Sequence, residues 1–449
     1  MRQGRLLLSA ALALTGGALR AQHHPTSLTQ SPPTDTLRLT LPEVWQRADE
    51  HSRVVTIKKQ AVAVGQEEVR DAITERLPEI GVMGSAEKAT NIPIYTNGLL
   101  SAPEQHEVIH TLYRVGADFY LNIYNGNKLN LKIEQERIRL RLAGVEQAQA
   151  VSDIRYLAAS RYLELQQAAI FRGLLREDIR NQEKQLLEIE ALHRNGVVLK
   201  SDLLRVRLEL SRRKLALVTI ENDLRLASQK LNQLIGEPDE RTIQPAPLAD
   251  PASNELHAYP AYLAEALEHS FLNQLSEQQT ELSRLNVRQV QANVRPKVGM
   301  YGDFYYANPQ IFLYPYNPYW YSLGIAGIRA SFPISALYHN VHKEKAARLE
   351  LAKEEEMHHD TQDRVRQQVN EGYLRYQEAL VRIGVAEVNV AQARENGRIV
   401  KNTYFHQTAL ITDLLDADVQ VLQTQFELAA ARIQAQNKYY RLQNVVGTL

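Results

Sequence analysis

The chain has 449 residues, enough for roughly two or three ordinary domains by length. Its 52 Lys+Arg balance 52 Asp+Glu to a formal net charge of zero, which removes the electrostatic motive for a nucleic-acid partner. There is no cysteine, so disulfides, thiolate metal ligands and a lipid-modified N-terminal Cys are excluded.

In chain order, Arg2 and Arg5 precede an apolar run from Leu6 to Leu19, with small residues around Ala21. This is the order of a secretory signal, and a signal peptide is expected over 1–21, followed by a linker over 22–37. The run is shorter than the ~20 residues a spanning helix needs, and no later stretch is apolar enough. If the protein enters a membrane, it does so with strands.

Next, Pro42–Arg76 reads as a helix, and a strand is expected after Pro78, with a loop around Asn91–Pro103. From Tyr113 to Tyr124, apolar residues (Val115, Ala117, Phe119, Leu121) alternate with mostly polar ones (Arg114, Asp118, Asn122). Both the alternation and the length suit a tilted membrane strand of ~9–11 residues. None of the 17 prolines falls between Pro103 and Pro238 or after Pro333, so long helices can persist there. From Lys128 to Asn195 is 67 positions, about 100 Å at ~1.5 Å per residue. Asn195-Gly196 then turns the chain, and Ser201-Asp202 offers an N-cap for a returning helix, Leu203–Ile235. Within it Leu203, Leu210, Leu217, Leu224 and Leu231 recur every seven residues. Val206, Ile220, Ala227 and Leu234 take the +3 positions and Arg213 breaks the pattern, giving a coiled-coil seam. The returning helix and Pro42–Arg76 each have about half the long helix's length. Long helices alternating with stacked half-length ones would build a cylinder.

The chain is also a duplication. Pro42, His51, Ser52, Pro78 and Gly81 recur as Pro260, His269, Ser270, Pro296 and Gly299, each 218 positions on. Tyr162, Asp202, Leu203 and Gly236 recur as Tyr373, Asp413, Leu414 and Gly447, each 211 positions on. The repeats are placed at 38–243 and 258–449, joined by a Pro-rich linker at 244–257. The second repeat supplies strands at Val298–Tyr306 and Trp320–Ser331, linked by an aromatic loop with Phe312, Tyr314 and Tyr316. It carries His406-Gln407 at the matching turn and Thr412-Asp413 at the matching cap. Four strands cannot close a barrel, and an open edge cannot sit in hydrocarbon, so several chains must pool their strands.

This layout resembles the TolC-type outer membrane efflux family over essentially the whole mature chain. The resemblance is carried by Leu41–Pro78, "IYNGNK" at Ile123–Lys128, "NGVVLKSDLL" at Asn195–Leu204, "LNQLIGEP" at Leu231–Pro238 and "ITDLLDA" at Ile411–Ala417. It implies an α+β membrane protein: a homotrimer whose twelve-stranded barrel, four strands per chain, lies in outer-membrane lipid. An α-helical coiled-coil tunnel would continue it across the periplasm. The implied partners are a periplasmic adaptor (membrane fusion) protein and an inner-membrane pump, with no cofactor and no enzymatic activity.

Asp413 and Asp416, three apart on one helix face, match the family's aperture motif. In a trimer they would form two acidic rings; the plainer reading is a capping residue and a dipole partner. Asp418 stands one step off that face and is expected in solvent. Asp202 and Thr412 are expected as helix caps at the tips. Asn195, Gly196, His406 and Gln407 are candidate adaptor contacts by family analogy, or simply polar turns. His106-Glu107-Val108-Ile109-His110 reads H-E-x-x-H, yet it lies in an expected surface loop rather than on the helix a zinc site needs, so no metal is assigned. The same channel could serve type I protein secretion or metal-ion export. A soluble periplasmic coiled-coil scaffold is the alternative of another class, and the strand at Tyr113–Tyr124 argues against it.

Overall fold

The computed structural model describes residues 36–247, 256–311 and 317–449. The expected signal peptide, most of the 22–37 linker, the middle of the 244–257 linker, and Phe312, Tyr314 and Tyr316 lie outside the described residues.

The first half of the chain starts with strand β1 (Leu37–Leu39) and helices α1 (Leu41–His51) and α2 (Arg53–Thr74). Strands β2 (Glu79–Lys88), β3 (Ile92–Ile94), β4 (Glu104–His106) and β5 (Thr111–Tyr124) follow, then helices α3 (Lys128–Arg194) and α4 (Lys200–Ile235). After β6 (Ile243–Pro245), the second half runs through α5 (Tyr259–His269), α6 (Phe271–Gln291), β7 (Lys297–Asn308) and β8 (Tyr321–Ser331). It ends with a short α7 (Ala336–His339), α8 (Val341–Phe405) and α9 (Ile411–Val446). The proline-free stretches are the two long hairpins, with helices of 67 and 65 residues returning through helices of 36 each.

The segment expected as one helix, Pro42–Arg76, is two. Ser52 leaves helical space (φ −65°, ψ 118°), and its hydroxyl accepts the Val55 N–H at 3.4 Å, starting α2 afresh. Ser270 breaks the second copy in the same way (φ −58°, ψ 125°). The break lets α1 press Val44 and Ala48, both fully buried, into a core with Ile154, Ala158, Leu165 and Leu231. That core lies at the middle of α3. The Tyr162 hydroxyl donates to the Leu39 carbonyl (2.8 Å) and accepts the Ala246 N–H (2.9 Å), fixing the parallel β1–β6 pair onto α3.

Two sets of four helices result. Toward the strands, α2, α3, α6 and α8 touch in that order; toward the tips the order is α4, α3, α9, α8. The predicted seam holds: Leu203, Val206, Leu210, Ala227 and Leu231 are buried. The outer helices are therefore α2 and α4 on one side and α8 on the other.

The strands form one antiparallel sheet in the order β2-β5-β7-β8, so the two repeats meet at β5–β7. Its edges, β2 and β8, have no strand beyond them among the described residues. One face carries Val82, Val115, Ala117, Phe119, Phe304 and Ile328. The other carries Arg114, Asp118, Tyr120, Tyr301, Asp303 and Arg329, as the register and side-chain alternation require. No helix among the described residues is long and apolar enough to cross a membrane.

Candidate functional site

Both hairpin tips use the same backbone device. At the first, the Val197 N–H reaches the Leu192 carbonyl (2.9 Å) and the Gly196 N–H reaches that of His193 (3.0 Å). Gly196 sits in the left-handed region at φ 73°. This is a Schellman closure, which satisfies the carbonyls left free at a helix end. At the second tip, Thr408 bonds Thr403 and Gln407 bonds Tyr404, both at 2.9 Å, with Gln407 in the left-handed position at φ 63°. Asn195 and His406 are the residues that end α3 and α8.

The helix caps differ from expectation. The N-cap residues are Leu199 (ψ 153°) and Leu410 (ψ 156°), so Asp202 and Asp413 fall at the third helical position and Thr412 at the second. The returning helices start earlier than the serine and threonine suggest, because the five-residue turns already extend the chain at the leucines. Asp413 still serves the helix start: its Oδ2 accepts the Leu410 N–H at 3.1 Å. Leucine offers no side-chain acceptor, so the reciprocal half of a capping box is absent. Asp413 and Asp416 are both exposed on the first turns of α9, while Leu414 between them and Ala417 just after them are buried. The carboxylates thus face away from the helix bundle of their own chain.

The tips share a core in which Ile189, Leu203 and Val206 of the first hairpin meet Tyr404, Ile411 and Leu414 of the second. Tyr404 is buried there. Its phenol pKa is raised first by burial and then by the charge of Asp202. No spacing signal marks this burial, since an aromatic at the end of a long helix looks the same whether it is packed or exposed.

A second polar contact lies further along α9. Asp418, expected in solvent, is half-buried and accepts from Gln182 Nε2 (2.9 Å) and Gln185 Nε2 (3.2 Å) of α3. Nearby, Arg213 (4% exposed) is ion-paired with Asp178 of α3, with Glu209 of its own helix at 3.6 Å. The seam break is therefore a buried salt bridge. Burial raises the Asp178 carboxyl pKa; Arg213 opposes that rise, while Asp418 and Glu209 add to it.

The H-E-x-x-H motif is not helical. His106 ends β4, and His110 Nε2 lies 2.8 Å from Asn91 Oδ1 at the base of the same loop. No group of three or more His, Cys, Asp or Glu among the described residues converges on a metal position.

The profile of the outer membrane efflux protein family matches residues 44–237 and 262–448. Among curated protein sequences none matches significantly. The fold is similar to that of CusC, a channel studied for its folding and transmembrane channel formation (TM-score 0.76, 15% identity, 94% of this chain and 95% of that one). It is similar to the outer membrane protein VceC from Vibrio cholerae (TM-score 0.70, 18% identity, 91% and 96%). It is also similar to the open state of the MtrE outer membrane channel from Neisseria gonorrhoeae (TM-score 0.71, 13% identity, 91% and 88%). With both repeats matched, and with long helical hairpins hung from a four-stranded sheet, the chain belongs to the outer membrane efflux protein family.

Proposed function

We propose that three copies of the chain close into a duct running from the periplasm through the outer membrane. The duct would receive cargo from an inner-membrane pump through a periplasmic adaptor. The observation that carries this reading is that each protomer is unfinished on both flanks. The sheet ends in open strands at β2 and β8, which hydrocarbon does not tolerate. On the outer helices, Leu204, Leu208, Leu215 and Leu226 of α4 and Leu374, Val381, Val385 and Val388 of α8 are each more than 50% exposed, at coiled-coil spacing. A head-to-tail ring joins β8 to the next copy's β2, and α8 to the next copy's α2 and α4. Three copies of a four-stranded sheet give twelve strands, an even number within the range of outer-membrane barrels.

Within that ring, Asp413 and Asp416 supply two stacked acidic rings at the periplasmic aperture, favouring cations and narrowing the path. Asp202 complements its helix dipole, and its charge acts on Tyr404. Asn195, Gly196, His406 and Gln407 present the turns to the adaptor. The residues from 38 to 243 and from 258 to 449 are the two repeats, and the N-terminal 21 residues are the export signal. The pump selects the cargo, so a co-purified pump separates drug efflux from protein secretion or metal export.

The test is reconstitution of the full mature protein in a planar bilayer. Wild type is expected as a heat-sensitive trimer from the outer membrane that conducts. Asp413→Ala with Asp416→Ala is expected to raise single-channel conductance severalfold and weaken block by multivalent cations. A mature protein soluble without detergent would sink the duct. Unchanged conductance and block would sink the aperture assignment.

A further inference from the structure

The polar face of the sheet has a layered order. Residues directly opposite on antiparallel strands share a face, and tiers follow every second residue. In one tier Asp118 of β5 stands opposite Asp303 of β7. Like charges placed so are repulsive, and the structure separates them: Asp118 leans over Gly81 of β2, where a Cβ would come 2.7 Å from its Oδ1. In the tier on one side, Tyr305 stands opposite Gly116. The Arg114 guanidinium lies over the Tyr305 ring, 3.9 Å from its centroid. In the tier on the other side, Tyr301 stands between Gly327 of β8 and Tyr120 of β5, itself opposite Glu79 of β2, and the Arg329 guanidinium lies 4.3 Å from the Tyr301 ring centroid. Each arginine reaches from its own tier toward the carboxylates and is held by a cation–π stack.

Tiers on one strand are about 7 Å apart, less than the ~8 Å Debye length at physiological salt. The fields of the two arginines and the two aspartates therefore overlap, one cation layer on each side of the anion layer. A glycine on one neighbouring strand leaves room beside each ring: a Cβ at Gly116 would come 2.7 Å from the Tyr305 Cβ, and one at Gly327 would come 3.4 Å from the Tyr301 ring.

We infer that Arg114–Tyr305 and Arg329–Tyr301 form a charge-balancing collar in the barrel, offsetting Asp118 and Asp303 and setting the ion selectivity of the membrane-spanning part. This rests on the trimeric duct reading, in which the polar face lines the lumen. Three copies place six guanidiniums against six aspartates in one band, and Glu79, opposite Tyr120 in the Tyr301 tier, adds three carboxylates at its edge. The carboxylates alone would make that band a cation filter. With the stacks in place, the aspartates are offset and the cation preference of the band is much reduced.

The experiment measures reversal potentials in a KCl gradient across planar bilayers. It uses trimers carrying Asp413→Ala and Asp416→Ala, so that the aperture charges do not dominate. Adding Arg114→Gln with Arg329→Gln is expected to shift the reversal potential toward the cation limit. Adding Asp118→Asn with Asp303→Asn is expected to shift it toward the anion limit, and all four together to return it to the parent value. The asparagine pair relieves repulsion within the sheet, so it reads the proposal by itself if the glutamine pair does not assemble. Channels whose reversal potential moves with neither pair, or moves the same way with both, overturn the collar. Absence of channels from wild type overturns the duct reading itself.

Discussion

Arg213 occupies a seam position that an apolar residue would fill in an uninterrupted coiled coil, and it is buried (4% exposed) beside Asp178. A buried pair adds little net stability when whole, but it is destabilising by roughly 3–5 kcal/mol to break one-sidedly. Arg213→Leu is therefore expected to destabilise the protein by about 3 kcal/mol, the low end because Asp178 keeps some solvent contact. Arg213→Leu with Asp178→Leu should recover most of that loss. Thermal melts of the purified protein rank the three. The pH dependence has a definite sign. The folded Asp178 carboxyl sits above its ordinary value, so the folded state binds this proton before the unfolded chain does. Stability from this group is then greatest at and below the ordinary carboxylate range and is lost as pH rises through the folded value. Acidifying into that window should raise the wild-type melting temperature relative to Asp178→Asn; a parallel response of the two would show that Asp178 does not titrate there.

At the scale of elements, the two tips are one backbone motif with different residues in the left-handed position. Gly196 adopts φ 73° freely, whereas Gln407 holds φ 63° with a Cβ in place, at a cost of about 1–2 kcal/mol. Gln407→Gly should stabilise the second tip by about 1 kcal/mol and slow limited proteolysis there; Gly196→Gln should hasten it at the first. Faster cleavage of the Gln407→Gly tip would show that the glutamine side chain holds the turn. Elements of this kind were partly legible. The long helices could be read because proline is excluded from them, and β5 because its alternation is strict. The kinks at Ser52 and Ser270 could not, since a serine on a helix face and a serine that breaks the helix look alike until α1 finds its core. Propensity points to polar residues as the N-caps, while the turn geometry hands the position to Leu199 and Leu410. Asp418 looked solvated because its partners, Gln182 and Gln185, lie on a helix remote in sequence.

At the scale of the whole molecule, the apolar stripes left outside the seams decide how copies meet. The tips share one core, so distances along α4 and α8 can be measured from a common level. Leu215 lies roughly four turns from the start of α4 and Val388 roughly five turns from the end of α8, at 3.6 residues per turn. The two are thus level on opposite flanks of one protomer, 70% and 55% exposed. In a head-to-tail ring, Leu215 of one copy meets Val388 of the next. With no cysteine in the chain, Leu215→Cys with Val388→Cys gives an unobstructed probe. Oxidation, or a short thiol crosslinker where the Cβ atoms are further apart than the ~4 Å a disulfide spans, should convert monomers on a denaturing gel into dimers and then a closed trimer that does not grow further. Leu217→Cys, facing the internal seam, paired with Val388→Cys should stay monomeric. Chains that remain monomeric with the first pair, or that ladder past three, would refute the closed threefold ring, because in that ring both flanks of all three copies are taken and none is left to extend it.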